Sequence, residues 1–213
     1  MSTFLELQDL VLDYLDDENA GYFTRDKVKQ WVNYGQQEAQ KLLIGAGENW
    51  YLECVQTTMV ANQPLYALPY DFLKSHRVVI VDNPTLTTAT ETDLEPITLN
   101  QQDMIGNQAA YPIAFSLRKG CVGVYPKPDL TYTLRLYYSY RVTDMVYDHE
   151  VPDLPEQYHE VIAIIAALNG FIKDGRDASL LMKKLKDYTE MMKTDSEERV
   201  EDRPRMVVVS DDY

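Results

Sequence analysis

Basic side chains are scarce in this chain of 213 residues: 20 Lys and Arg stand against 34 Asp and Glu, a formal charge of −14 at pH 7. That balance excludes a surface built to neutralise nucleic-acid phosphates, because such binding rests on Lys and Arg displacing counterions. An acidic wall has another use beside a duplex: it repels phosphate and lets the duplex slide without sticking. Cysteine is sparse too. Cys54 and Cys121 share no short spacing, which argues against a disulfide framework or a closed zinc site and fits reducing conditions. No apolar run approaches the roughly 20 residues that span a bilayer, and the opening residues lack a basic flank and soon meet Asp9 and Asp13. The expectation is a cytosolic or particle-bound chain with no membrane partner.

The signatures of catalysis are missing as well. His159-Glu160 begins like a helical zinc-protease motif, but the second histidine would have to stand where the chain has Ala163. His76, His149 and His159 lie too far apart in sequence for neighbouring helical ligands and read as surface or packing histidines. Gly45-Ala-Gly47 follows a helical pattern, lacks a third glycine and a following Lys-Ser or Lys-Thr, and reads as a helix stop. Asp13, Asp16, Asp17 and Asn19 have the composition of a calcium loop without its glycine and closing glutamate at the required positions. No Gly-x-Ser-x-Gly occurs. No catalytic, cofactor-binding or metal-binding residue is therefore assigned, no cofactor is expected, and the chain reads as a non-enzymatic structural subunit.

What the chain has is an ordinary apolar fraction of 45% and 16 tyrosines, a residue suited to half-wet contact surfaces as well as to strands. Thr3 with Glu6 has capping-box spacing, and Phe4, Leu7, Val11 and Leu15 predict a first helix. Thr24 as N-cap, with Val28, Trp31, Val32, Ala39 and Leu42 as its core stripe, predicts a second that stops at Gly45 and Gly47. From Cys54 the period shortens: Cys54–Met59 and Leu65–Leu68 predict a hairpin, and Arg77–Val81, Ile113–Arg118, Cys121–Tyr125 and Thr131–Tyr140 predict strands, the last three as an antiparallel meander. Residues 82–95, rich in Thr, Asp and Pro, predict a long exposed loop. Tyr158, Val161, Ile162, Ile165, Leu168 and Ile172 mark a central helix ending at Asp174-Gly175, and Leu180, Leu181, Leu185, Tyr188, Met191 and Met192 mark a last one with Lys183, Lys184 and Lys186 on its wet side.

The predicted class is α+β: a four-helix bundle formed by N- and C-terminal helix pairs, an inserted antiparallel β module and an extended C-terminal arm. The boundaries are residues 1–50 for the first helical pair, 51–150 for the β module, 151–193 for the second helical pair and 194–213 for the arm. In the arm an acidic connector leads to Pro204 and the apolar run Met206, Val207, Val208 and Val209, with Asp211 and Asp212 behind. That pattern fits a strap that adds to a neighbour's sheet or groove, reaching about 60 Å when extended; the other reading is a disordered tail with an accidental apolar patch.

Several phrases in joint order complete the reading: Val28-x-x-Trp31-Val-Asn33-x-x-Gln36-x-Glu38, Gln63-Pro-Leu-Tyr66-x-Leu-Pro69-x-Asp71-Phe72, Tyr111-Pro112, Val124-Tyr125-Pro126-x-Pro128-Asp129 and Val151-Pro152 leading to Tyr158-His159. Together they resemble tailed-phage head-to-tail adaptor (connector) proteins and are similar to the tail tubular protein A family of short-tailed phages. The resemblance implies a virion protein assembled in the host cytoplasm. It implies a homo-oligomeric ring of about twelve copies between the portal protein and the tail nozzle protein, with genomic DNA passing through the channel without specific binding. It also implies that Pro204 and Met206–Val209 clasp the portal. The alternative is a soluble module whose tyrosine-rich β domain holds a peptide or glycan.

Overall fold

In the computed structural model the described residues are 2–17, 20–47, 50–82, 90–105 and 108–201. They form an α+β protein of five α-helices and two β-sheets, in two compact units: residues 1–50 with 142–213, and residues 51–141.

The first unit is helical. Helix α1 (Phe4–Leu15) opens on the expected capping box: Thr3 Oγ1 accepts from the Glu6 amide and the Glu6 carboxylate accepts from the Thr3 amide. Helix α2 (Arg25–Ala46) has Thr24 at its N-cap position without a side-chain capping bond, and its stripe closes with Leu43 buried rather than Leu42. The chain returns from the second unit at Val142. Residues 142–150, placed in the β module by sequence, belong to the helical unit instead, because α2 holds their backbone directly, as described below. A short 3₁₀ turn (Glu156–Tyr158) leads into α4 (His159–Asp174), and α5 (Ser179–Glu201) ends the described chain.

Helix α4 is central. Every residue from Val161 to Ala167 is buried, so over two turns it has no wet face, and it packs on α1, α2 and α5. Close approach depends on two glycines. A methyl group at Gly35 of α2 would lie 2.5 Å from the Ile162 carbonyl oxygen, and one at Gly170 of α4 would lie 2.4 Å from a Leu15 methyl carbon. Conversely Ile172, on the expected stripe, is 70% exposed.

Helix α5 corrects the expected arm. The helix passes Thr194 and continues to Glu201, since nothing from Ser179 to Glu201 is glycine or proline and Pro204 is the first breaker. Contacts hold this stretch: Asp195 accepts from the Tyr158 hydroxyl at 2.6 Å and from Gln157 at 3.0 Å, and Ser196 is buried. The remainder of the arm, with Pro204 and Met206–Val209, lies outside the described residues.

The second unit carries β1 (Leu52–Met59), β2 (Leu65–Ala67), β3 (Phe72–Asp82), β4 (Thr90–Asp93), β5 (Glu95–Pro96), helix α3 (Leu99–Ile105), β6 (Ala114–Arg118), β7 (Cys121–Tyr125) and β8 (Tyr132–Tyr140). One sheet has the order β1-β8-β3-β4 and the other β2-β7-β6-β5. Met59, Val78, Ile80, Leu134, Leu136 and Tyr138 from the first sheet share one core with Tyr66, Phe115, Val122 and Val124 from the second, the alternating inward pattern of packed sheets.

The expected hairpin and meander do not form. β1 pairs antiparallel with β8 and β2 with β7, because the turn after Met59 sends the chain to the other sheet: Asn62 takes a left-handed φ of 65° and donates to the Pro128 carbonyl. The Tyr66 hydroxyl fixes this turn, donating to the Gln63 carbonyl and accepting from the Val60 amide. Of the meander only β6-β7 is a hairpin; Pro126 and Pro128 lack the N–H that a continuing ladder would need, and β8 joins the first sheet. The predicted loop of residues 82–95 contains β4, paired with β3 from Val79 to Asp82. That strand is polar throughout and is held by its charges: Arg77 pairs bidentately with Asp93 and also meets Glu91, which in turn meets Arg135.

Candidate interaction surfaces

Two polar constructions hold the helical unit, and both use residues that an amphipathic pattern would assign to solvent. The first lies between α2 and the returning segment. Asn33, Gln36 and Gln40 occupy one face of α2 beside the apolar stripe. Asn33 brackets Met145, donating to its carbonyl and accepting from its amide, both at 2.9 Å. Gln36 donates to the Thr143 carbonyl at 2.9 Å and Gln40 accepts from the Val142 amide, while Gln37 reaches the Asp144 carboxylate at 2.8 Å. A row of side-chain amides thus substitutes for a neighbouring strand and satisfies backbone that would otherwise be buried unpaired. The signal available in sequence was the i, i+3, i+7 spacing of the three amides.

The second is a knot around Glu160. Lys184 of α5, expected on the wet side, turns inward and pairs with the Glu160 carboxylate; Tyr14 of α1 donates to the same oxygen at 2.5 Å, and Tyr188 of α5 donates to the other. Three helices are joined at one carboxylate. Burial alone would raise the Glu160 pKa, but the hydrogen bonds from Lys184, Tyr14 and Tyr188 outweigh it and hold the group down at about 2. The bond to Glu160 and then the one to Tyr14 push Lys184 above its ordinary range. Tyr188 is raised to about 12, first by its bond to Glu160 and then by burial, and Tyr14 is raised by burial and by Glu160. Such a group stays ionised at neutral pH: it holds helices together and has no proton to give.

Of the three histidines only His159 is buried; His76 and His149 are exposed. His159 takes a hydrogen bond from the Ser2 amide on Nδ1 and meets the Leu154 carbonyl through Nε2, and burial lowers its pKa. His76 meets the Ser139 hydroxyl, and His149 stacks on Tyr147. In the β unit the Tyr138 hydroxyl lies 3.2 Å from both Glu53 and Asp71, and burial followed by the Asp71 charge pushes its pKa well up. Among the described residues no group of three or more His, Cys, Asp or Glu is placed to hold a metal, and no helix is long and apolar enough to cross a membrane.

Exposed large apolar side chains lie in both units. Ile172, Leu180 (83% exposed) and Met182 stand out from α4 and α5, and Tyr70 (96% exposed) and Met104 from the β unit. None of these was singled out as a contact from sequence; Ile172 and Leu180 fitted helical stripes and were expected inside.

Compared with known proteins, residues 2–209 match the family model described as SU10 adaptor protein. The chain belongs to that family. The match takes in both units, and it makes this SU10 adaptor family member a phage structural adaptor, a virion component that works through contact with other head or tail proteins. No curated protein matches the chain.

Proposed function

We propose that this adaptor forms a homo-oligomeric ring of about twelve copies, joining the portal vertex to the tail and lining the channel through which the genome passes. The observation that carries the reading is a family match that spans the helical unit and the β unit alike. In this reading α1, α2, α4 and α5 act as a four-helix bundle that packs into the ring wall, as in the tail tubular protein A family. The tail nozzle protein meets the opposite side, and assembly takes place in the host cytoplasm. The charge of −14 suits a bore that repels DNA and leaves it mobile.

The segment after α5 is the portal strap. Pro204, Met206, Val207, Val208 and Val209 come after Asp202 and Arg203, which follow the last residue of α5, Glu201. Burying three valines and a methionine contributes roughly 1.5 to 3 kcal/mol each before ordering costs. The test is native mass spectrometry on portal mixed with the full chain and with a chain truncated after Glu201. The expected result is about twelve adaptors per portal for the full chain and at least a hundredfold weaker association for the truncated one. A monomer that ignores the portal overturns the ring; undiminished binding by the truncated chain overturns the strap.

A further inference from the structure

The second sheet of the β unit has an edge that stops short. β6 pairs with β7 so that Phe115 opposes Val124 and Leu117 opposes Val122, and along such a ladder successive residues turn their N–H and C=O alternately toward and away from the partner. The outward set is identified by its contacts: the Ile113 carbonyl accepts from the Glu95 amide at 3.1 Å and the Phe115 carbonyl from the Ile97 amide at 2.8 Å. Leu117, two residues further, turns its backbone groups to the same side. β5 does not reach it, for it pairs only with Ala114 and Phe115. The chain then leaves the edge at Thr98, whose amide and hydroxyl both donate to the Gln101 side chain.

The result is a notch of about 440 Å³ lined by Ile97, Thr98, Gln102, Ser116, Leu117 and Arg118. Ser116 is 6% exposed, and its hydroxyl has no hydrogen-bond partner among the described residues, an uncommon state for a buried polar group. Arg118 is held on the rim by donating to the side-chain Oε1 of Gln102 at 2.5 Å and to the Tyr125 hydroxyl at 2.7 Å. Both of these partners are neutral, so they aim the guanidinium without cancelling its charge, and Lys119 follows it in the turn. Ile97 and Leu117 give the notch apolar walls.

We propose that this notch is a docking site for an extended acidic segment of another polypeptide, which adds a short strand to the open edge of β6. The occupant is fixed by three features. The outward N–H and C=O of Leu117 require backbone in extended form. The positive charge of the Arg118 guanidinium on the rim calls for a carboxylate. The apolar walls take the side chains flanking that carboxylate. The proposal concerns the β unit alone and is independent of ring formation and of the portal strap.

The test uses the ¹⁵N-labelled full chain titrated with an acetylated, amidated pentapeptide, Thr-Val-Glu-Val-Thr, and followed by amide chemical shifts. Saturable shifts centred on Ser116, Leu117 and Arg118 are expected. Arg118→Gln, or glutamine in place of the peptide's glutamate, should weaken binding tenfold or more. Leu117→Pro removes an N–H that faces the edge, where proline is tolerated, and should abolish binding while the β6-β7 shifts remain. Should that variant not fold, the peptide N-methylated at its central residue reads the same contact from the ligand side. Absence of saturable shifts, equal binding by the N-methylated peptide, or equal affinity for free glutarate would each overturn the proposal, the last by reducing the notch to a simple anion site.

Discussion

Replacing Glu160 by glutamine removes the charge that joins α1, α4 and α5 while keeping the shape and some of the hydrogen bonds. The native carboxyl sits at about 2 against an ordinary 4.5, and at about 1.36 kcal/mol per pKa unit this sets a ceiling of roughly 3 kcal/mol on its pH-linked stabilisation. Solvent reaches the pair, since the Lys184 side chain is 43% and the Glu160 side chain 33% exposed, and screening reduces the figure to about 1 to 2 kcal/mol. A carboxylate whose pKa is depressed on folding stabilises fully above the unfolded value and loses that contribution as pH falls toward the folded one. The stability gap between the native chain and Glu160→Gln should therefore be constant from pH 7 to about pH 5.5, narrow from about 4.5 down to 2, and shrink in high salt. Urea unfolding of both proteins at half-unit pH steps measures it. A gap that does not change between pH 6 and pH 2.5 would refute the electrostatic account and leave Glu160 as a packing residue.

Local structure was legible in the sequence wherever a single periodicity or cap decided it. The Thr3-Glu6 box, the stop at Leu15 and the strand-forming runs of β6, β7 and β8 all stand where the residues put them. Pairing was not legible, because β1 and β2 find their partners far along the chain, and the same alternation serves a hairpin or either edge of a sandwich. β4 was hidden for a different reason: Thr90-Glu-Thr-Asp93 has no apolar residue, and its strand is held by Arg77 and Arg135 from neighbouring strands. Charge misled twice more. Lys184 reads as a solvated helix face until Glu160 and two tyrosines surround it, and the acidic residues after Thr194 read as a linker although they are acceptable in a helix anchored by Asp195 and Ser196. In the candidate contact surfaces, an exposed Ile172 or Leu180 cannot be told from a core residue by spacing, since a helix shows the same stripe whether its own bundle or a partner covers it.

Asn33→Ala should destabilise the helical unit by about 1 to 3 kcal/mol, because both backbone groups of Met145 lose their partner at once; hydrogen exchange at residues 142–145 should rise well before global unfolding, and an unchanged exchange rate there would count against the amide row. The glycines of α2 give the sharpest contrast. Alanine at Gly45 meets nothing within 4 Å, so the gain in helix propensity should leave stability unchanged or raise it by about 0.5 to 1 kcal/mol. Alanine at Gly35, ten residues earlier in the same helix, faces the Ile162 carbonyl oxygen at 2.5 Å and its carbon at 3.3 Å. A backbone oxygen cannot rotate out of the way as a side chain could, so α2 and α4 must separate, and overpacking of this kind costs about 1 to 3 kcal/mol or more. Thermal unfolding of the two variants should therefore move in opposite directions. Equal midpoints would mean that the α2–α4 contact is not close-packed at Gly35, and with it would go the reason for a glycine within a 22-residue helix.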